Sequence, residues 1–520
     1  MARDTTVLII LDGWGMAPET QKGNAITPTT APNFFDWWKN YPHAELNASG
    51  QAVGLFRGQE GNSEAGHLNI GAGRVVKQDA LYISDAIRDG TFYKNNAFLQ
   101  ALHHQKKYRT QVHLMGLLSN HNSAHSNPEH LYALLDMLHE QGVKKVFLHL
   151  FTDGRDSGQH DAQLHLKKLE EHFHGTEQVA TVMGRYYGMD RNKVWERTEA
   201  AYRAITDGDG RTAEDADTAI TLAYNSGETD EFIAPTVMVK NGKPLTTVQD
   251  NDVVFFFNLR SDRARELTKA FVQPDFEKMN PGAFHRRVEP HHIRFVALAD
   301  FGPDLPGVLT AFPSRDVPNS LVQTLCPRPQ LYIAESEKFA HITYFLNGGY
   351  AQHFCDEQWV KIDSDHVKDF VVKPEMKAKE VGEYVCNALN QERYDFIAVN
   401  FANADMLGHT GNIAAAEAGV AFLDNIIAEV VLAAKKVGAT CIITADHGNA
   451  EEMVNLKTGE IDSEHSIYPV PFICIAPPDK IKKFKIRKNL PPGQLADVAP
   501  TILKLMSIDK PAVMTGHSLI

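Results

Sequence analysis

Three aspartates, three histidines and a serine sit in short segments whose residue types could assemble a cation site beside a nucleophile. Leu11-Asp12-Gly13-Trp14-Gly15 places a carboxylate after an apolar run, followed by glycines that permit a tight turn. An Asp before Gly is also a turn former, so Asp12 gains meaning only from partners. In Asn403-Ala404-Asp405-Met406-Leu407-Gly408-His409 the carboxylate and imidazole are four positions apart; on a helix they share a face and can converge on one cation. The alternative is an N-terminal cap at Asp405 and an unrelated exposed His409. Thr444-Ala445-Asp446-His447-Gly448-Asn449 follows another apolar run. Adjacent residues of a regular strand point to opposite faces, so Asp446 and His447 serve one site only where the strand is ending and Gly448 lets the backbone turn. His465, in Ser463-Glu464-His465-Ser466, is a loop histidine whose candidacy depends on the others. Together these donors suit two neighbouring borderline-hard divalent ions such as manganese or zinc, and a thiolate site is not supported.

The nucleophile candidate is Ser63 in Gly61-Asn62-Ser63-Glu64-Ala65-Gly66-His67, where small residues let backbone approach a phosphate at the start of a predicted helix. A plain Gly/Asn/Ser turn capping that helix is the alternative. A neighbouring metal shifts the balance, because a free serine scarcely ionises at neutral pH. A second, basic set comprises His125 in His121-Asn122-Ser123-Ala124-His125, Arg155 and Asp156 in Thr152-Asp153-Gly154-Arg155-Asp156, Arg185 and Arg191 in the run 184–191, and Arg260 and Arg263 in Asn258-Leu259-Arg260-Ser261-Asp262-Arg263. Guanidinium groups match phosphate and carboxylate in bidentate fashion, so several converging would bind a small phosphate that also carries a carboxylate. Surface pairing with nearby Asp residues is the bland reading of any one of them. Lys338, in Glu335-Ser336-Glu337-Lys338, could bridge to the same phosphate or remain solvated.

Both sets follow short Val/Ile/Phe-rich runs that alternate with helical patterns, which predicts βα units around largely parallel sheets. The outer runs are Val7 to Leu11, Asp395 to Phe401, Ala439 to Ala445 and Val470 to Ala476; the middle ones are Val112 to Leu117, Val143 to Leu150, Val179 to Met183, Val253 to Phe257 and Ile293 to Ala297. Ligands in open α/β sheets bind beyond the carboxyl ends of strands, where these polar residues fall. The outer group is acidic and the middle group basic, which predicts one α/β domain built from both ends of the chain, residues 1–78 and 313–520, with a second α/β domain, 79–312, inserted into it and facing it across a cleft. The crossings are expected near Gln78-Asp79 and Phe312-Pro313.

The chain's 520 residues favour two or three domains, and 43% hydrophobic with 22% charged residues is ordinary globular composition, without low-complexity tracts or a fixed-period repeat. The formal charge of −13 disfavours a nucleic acid or an anionic membrane as partner, whereas a local arginine cluster still allows an anionic small molecule. Five cysteines without metal spacing fit a reducing compartment. Met1-Ala2-Arg3-Asp4 leads into an apolar run too short for a signal peptide, and no segment approaches the ~20 apolar residues of a membrane helix. A cytoplasmic location is expected, and a monomer.

The segments Asp12-Gly13-Trp14-Gly15, Gly61 to His67, Met183-Gly184-Arg185-Tyr186-Tyr187, Asn403-Ala404-Asp405, Thr410-Gly411 and Ala445 to Asn449 together resemble the cofactor-independent (2,3-bisphosphoglycerate-independent) phosphoglycerate mutases, from the first strand to the final Pro-rich segment. The resemblance implies an alkaline-phosphatase-like metal domain interrupted by a phosphotransferase domain, and interconversion of 2- and 3-phosphoglycerate. It implies one metal held by Asp405, His409 and His465, another by Asp12, Ser63, Asp446 and His447, with manganese the cofactor. Substrate contacts would come from His125, Arg155, Asp156, Arg185, Arg191, Arg260, Arg263 and Lys338. Ala65 stands where the family often has Val, and Ser157-Gly158 where Thr and Pro are common; neither removes a ligand or a charge. The expected chemistry is in-line attack by Ser63 to give phosphoserine and a retained glycerate, with Arg260 and Arg263 on the transferring group, Asp156 as general acid/base, and Arg185 and Arg191 on the carboxylate. Rival readings are a phosphomonoesterase or phosphopentomutase on the same metal core, and a non-catalytic phosphate or metal binder.

Overall fold

The computed structural model describes residues 4–121, 123–367 and 369–520; of the segments quoted above, Met1-Ala2-Arg3 and Asn122 lie outside these. The fold is α/β with two sheets, and the chain divides into two compact units, one of Met1–Gln78 with Arg315–Ile520 and one of Asp79–Ser314.

In the first unit the apolar runs form strands buried along their whole length, as strands covered on both faces must be: Thr6–Leu11, Phe396–Phe401, Thr440–Thr444 and Val470–Ile475. The eight-stranded sheet runs, from one edge, Glu357–Ile362, Gln330–Glu335, Phe396–Phe401, Thr6–Leu11, Thr440–Thr444, Val470–Ile475, His43–Asn47 and Gly493–Gln494. Thr6–Leu11 lies between two parallel neighbours, with Leu11 beside Phe401 and Ile10 beside Thr444. The chain therefore leaves all three strands at the same sheet edge, and Asp12, Asp405 and Asp446 are delivered there together. The sheet is less parallel than expected, since Val470–Ile475 runs antiparallel to both of its neighbours. Four of its strands have no continuous apolar run to betray them. His43–Asn47 turns only Ala44 and Leu46 inward, Gln330–Glu335 buries polar residues at both ends, Glu357–Ile362 is mostly half-exposed, and Gly493–Gln494 is two residues long.

The main path of the second unit's sheet runs Leu309–Phe312, Arg294–Ala299, Val253–Phe256, Val112–Leu118, Val146–Thr152, Glu177–Gly184, Thr236–Lys240 and Arg211–Ala213. Side chains alternate between its faces. Val112, Leu114, Val253 and Phe255 enter one apolar cluster, while Met115, Leu117, Val254 and Phe256 enter another.

The cysteines depart from the all-thiol reading: Cys326 and Cys355 form a disulfide, while Cys386, Cys441 and Cys474 are free. Their separation in sequence carries no local spacing signal. Glu357 lies beside the pair, but two sulfurs bonded to each other offer no thiolate to a cation. Among the described residues no helix is long and apolar enough to cross a membrane.

Leu8, fully buried in the central strand of the first unit, tests this core. Leu8→Ala is expected to cost about 2–5 kcal/mol, read as a lower denaturant midpoint for the transition of that unit.

Candidate active site

Backbone hydrogen bonds fix the acidic residues before any side chain acts. The N–H of Asp12 donates to the Phe401 carbonyl and the N–H of Asp405 donates to the Asp12 carbonyl, each at 3.0 Å. Gly13 has φ +72°, and a Cβ there would lie 2.6 Å from the Asp405 Cα, so the turn after Asp12 requires glycine. Ser63 opens the helix Ser63–Ala72, capped by Asn62, whose side chain accepts from the Ala65 N–H at 2.9 Å. Gly66 lets that helix rest on the neighbouring loop, since a Cβ would meet the Asp446 carbonyl oxygen at 2.5 Å.

These constraints bring all eight residues expected of the outer set into one cluster. Ser63 Oγ donates to Asp12 Oδ1 at 3.2 Å, lies 2.9 Å from His447 Nε2, and accepts from Lys338 Nζ at 2.9 Å. The Lys338 ammonium also donates to Asp12 Oδ1 and Asp405 Oδ2, both at 2.6 Å. His409 Nε2 and His465 Nε2 each lie 3.3 Å from Asp405 Oδ1 and 3.1 Å from one another. The opposite nitrogens face carbonyls: His409 Nδ1 is 2.8 Å from Ser463 O, His465 Nδ1 is 2.7 Å from Gly61 O, and His447 Nδ1 is 3.3 Å from Gly448 O.

A carbonyl only accepts, so Nδ1 carries the proton in each ring and a neutral ring turns its Nε2 lone pair toward the carboxylates. Lone pairs from two imidazoles so close to each other and to a carboxylate oxygen repel unless a cation lies among them. The donor atoms of Asp405, His447 and His465, and those of Asp12, Asp446 and His447, lie within 4.8 Å of one another. Charge makes the same point. Burial and then the neighbouring Asp446 hold the Asp12 carboxyl above its ordinary range despite Lys338. Burial also pushes Asp405 and Asp446 upward, and both are held below the usual carboxylate range only by Lys338 together with positive charge among the nearby imidazoles, which neutral rings do not supply by themselves. Burial alone would lower Lys338, and Asp12, Asp405 and Asp446 reverse this, so it stays an ammonium. One ammonium against three buried carboxylates leaves a deficit of positive charge, which divalent cations fit.

Four buried residues that sequence spacing does not single out complete the cluster. His67 Nδ1 is 3.1 Å from Asp446 Oδ2 and 2.9 Å from the Ser63 carbonyl. Asn400 Nδ2 donates to Asp12 Oδ2 at 2.7 Å and lies 3.0 Å from His67 Nε2. Asn449 Nδ2 donates to Asp405 Oδ1 at 3.0 Å, and Glu451 accepts from the Gly15 and Asn449 N–H groups. Two signals were available: His67 lies four residues after Ser63, and Asn400 is a lone amide inside an apolar strand.

The basic set belongs to the second unit. Arg185 follows the strand Glu177–Gly184 and is buried, with Nη1 2.5 Å from Asp153 Oδ1 and 3.1 Å from Asp156 Oδ2. Ser123 Oγ donates to Asp156 Oδ2 at 2.6 Å, and the His125 N–H donates to Ser123 Oγ at 3.1 Å. Burial pushes Asp156 up, but Arg185 and the Ser123 hydroxyl prevail and hold it below its ordinary range. Burial, then Arg185, lowers His125 to about 3, so its ring is neutral near pH 7. Asp262 gathers two arginines: Arg191 Nη1 lies 3.1 Å and Arg260 Nε 3.6 Å from its carboxylate. Arg263 donates to the Met189 carbonyl at 3.3 Å, and burial with Arg185 and Arg191 lowers it to about 10. Arg155 is exposed, 3.6 Å from Glu231. Asp153, Asp262 and Ser123, which carry much of this wiring, are not evident from the arginine pattern.

Residues 83–302 match the family model described as the BPG-independent PGAM N-terminus, and residues 307–487 match that of type I phosphodiesterase / nucleotide pyrophosphatase. The chain is 45% identical over 518 residues to the 2,3-bisphosphoglycerate-independent phosphoglycerate mutase of Moorella thermoacetica, covering 99% of this chain and 98% of the relative. It is 42% identical to that of Clostridium acetobutylicum, with all of both chains covered. Among solved structures it is similar to Leishmania mexicana phosphoglycerate mutase at low cobalt concentration, with a TM-score of 0.77, 30% identity, and 99% and 97% of the two chains covered.

His125 supplies a pH test. Its folded value, about 3, lies below the ordinary 6.5, so between these the unfolded chain binds a proton that the folded chain refuses. Stability contributed here is full above 6.5 and falls as pH drops through the window. Urea midpoints of wild type and His125→Asn near pH 7 and near pH 5 are expected to show a shallower acid-side loss in the variant, by up to about one proton.

Proposed function

The chain belongs to the 2,3-bisphosphoglycerate-independent phosphoglycerate mutases, intramolecular phosphotransferases that interconvert 2- and 3-phosphoglycerate, and from that premise we propose that the phosphoryl group passes through Ser63. The observation that carries this is the setting of Ser63 Oγ: it sits at a helix N-terminus, with the Lys338 ammonium and His447 Nε2 both at 2.9 Å. Asp12 Oδ1 accepts the hydroxyl's hydrogen bond, while Lys338 and the first-turn N–H groups favour negative charge on Oγ and on a phosphate beside it.

Two divalent ions, which we take to be manganese, complete the proposal, with Asp405, His409 and His465 holding one and Asp12, Ser63, Asp446 and His447 the other. When bound they supply positive charge that activates a serine hydroxyl and offsets charge on phosphoryl oxygens. Ser63 Oγ attacks phosphorus in line; the P–O bond to the sugar acid breaks, leaving phosphoserine and glycerate, and the other glycerate hydroxyl then reverses the transfer. In this proposal the proton Ser63 loses goes to Asp12, its hydrogen-bond acceptor, and returns to Oγ in the second transfer, while Asp156, ionised at rest, takes the proton of the glycerate hydroxyl about to attack and passes it to the oxygen that has left phosphorus. Arg185 holds Asp156 in place from the buried side and, in this proposal, helps Arg191 with the substrate carboxylate, while His125, Arg155, Arg260 and Arg263 bind the phosphorylated substrate.

Residues 1–78 and 313–520 are the metal-binding domain in this reading and 79–312 the substrate-binding domain. A role in glycolysis and gluconeogenesis, a cytoplasmic location and a monomeric state belong to the same proposal. The Cys326–Cys355 disulfide runs against the location, since reducing compartments keep thiols free.

Ser63→Ala is expected to lower mutase turnover, assayed without added bisphosphoglycerate, by at least about a thousand-fold while the fold is kept. Acid-quenched wild type given 3-phosphoglycerate is expected to yield a phosphopeptide at Ser63. Chelation should abolish turnover and manganese restore it. Normal turnover in the variant, or phosphate found only elsewhere, rejects the assignment.

A further inference from the structure

Glu451 is fully buried, and its carboxylate touches three loops that each carry proposed metal ligands. Its Oε2 accepts from the Gly15 N–H, three residues after Asp12, and from the Asn449 N–H, two residues after His447, both at 2.9 Å. Its Oε1 accepts from the hydroxyl of Ser466, the residue after His465. The fit leaves no slack: a Cβ on Gly15 would lie 2.2 Å from Glu451 Cδ, and one on Gly448 would lie 2.2 Å from Oε1. Backbone bonds close the same knot, with the Ser466 N–H donating to the Gly448 carbonyl at 3.0 Å and the Ala450 N–H to the Gly13 carbonyl at 3.1 Å.

All three side-chain contacts are uncharged donors, and among the described residues no lysine, arginine or histidine forms an ion pair with Glu451. A buried carboxylate so placed is costly to fold. It does not coordinate the proposed ions, because its oxygens are spent on the loops. We propose that Glu451 is a positioning residue: it pins the turns after Asp12, after Asp446-His447 and after His465 to one another, so that ligands from three distant stretches of chain are held at coordinating separation. This rests on the two-metal reading above. Outer partners of metal ligands act in this way, fixing ligand orientation at about 10- to 100-fold in affinity.

The test is manganese binding to the chelator-stripped full-length protein, followed by the electron paramagnetic resonance of free Mn2+, with far-UV circular dichroism and thermal unfolding of the metal-free forms alongside. Glu451→Ala is expected to keep native secondary structure and to weaken manganese binding about 10- to 100-fold. Glu451→Gln keeps an oxygen for the two N–H groups and is expected to bind within about threefold of wild type, well short of that loss. Should the alanine variant fail to fold, Ser466→Ala cuts only the tether to the His465 loop. It is expected to weaken one of two manganese ions about tenfold and leave the other unchanged. Wild-type affinity in both Glu451→Ala and Ser466→Ala, or a Glu451→Gln variant as weak as the alanine one, overturns the positioning role. Failure of wild type itself to bind manganese overturns the two-metal reading and this inference with it.

Discussion

Three carboxylates buried at one sheet edge are the constraint around which the first unit is arranged. Asp12, Asp405 and Asp446 are all buried, and like charges in such a place repel strongly. Lys338 answers part of that repulsion by reaching two of them directly. The imidazoles do not answer it: with their protons fixed on the far side they turn lone pairs inward and add to the demand for positive charge. The result is a site whose charge is balanced only with further cations, and a serine hydroxyl lies at its centre.

The backbone achieves this with few devices. Parallel pairing of the three central strands delivers the acidic residues to one edge, and Gly13 and Gly66 remove the side chains that would keep the Asp405 helix and the Ser63 helix away. The second unit solves a related problem with opposite sign. Arg185 is buried against Asp153 and Asp156, which leaves Asp156 charged, while Asp262 keeps Arg191 and Arg260 side by side where their mutual repulsion would otherwise part them.

The α/β class and the strands that matter for chemistry were legible because fully buried strands are written as unbroken Val/Ile/Phe runs. Thr6–Leu11 and Val470–Ile475 are examples. Strands that mix polar with apolar residues, such as Gln330–Glu335, escaped for the converse reason. Asp405 and His409 were readable together because helical periodicity puts them on one face. Contacts made across hundreds of residues have no such local period: nothing near Glu451 or Asn400 in the chain announces the loops they touch. Arg185 shows the limit of reading by residue type, since pattern marks it as a ligand for substrate but not its burial against two aspartates.

Among the described residues the central strand Thr6–Leu11 pairs with Phe396–Phe401 and Thr440–Thr444, both hundreds of residues further along the chain, so it is synthesised long before either partner exists. Throughout synthesis of everything between, five strongly apolar residues, Val7 to Leu11, wait without a sheet to join. Segments of this kind, with high β-propensity and no charge, are the ones that stick to other chains while exposed. The intervening Asp79–Ser314 unit is contiguous in sequence and closes its own cores, so it can be complete before the outer sheet has begun. The arrangement that unites two distant stretches of chain in one sheet thus makes Thr6–Leu11 a segment that a chaperone would need to shield during synthesis.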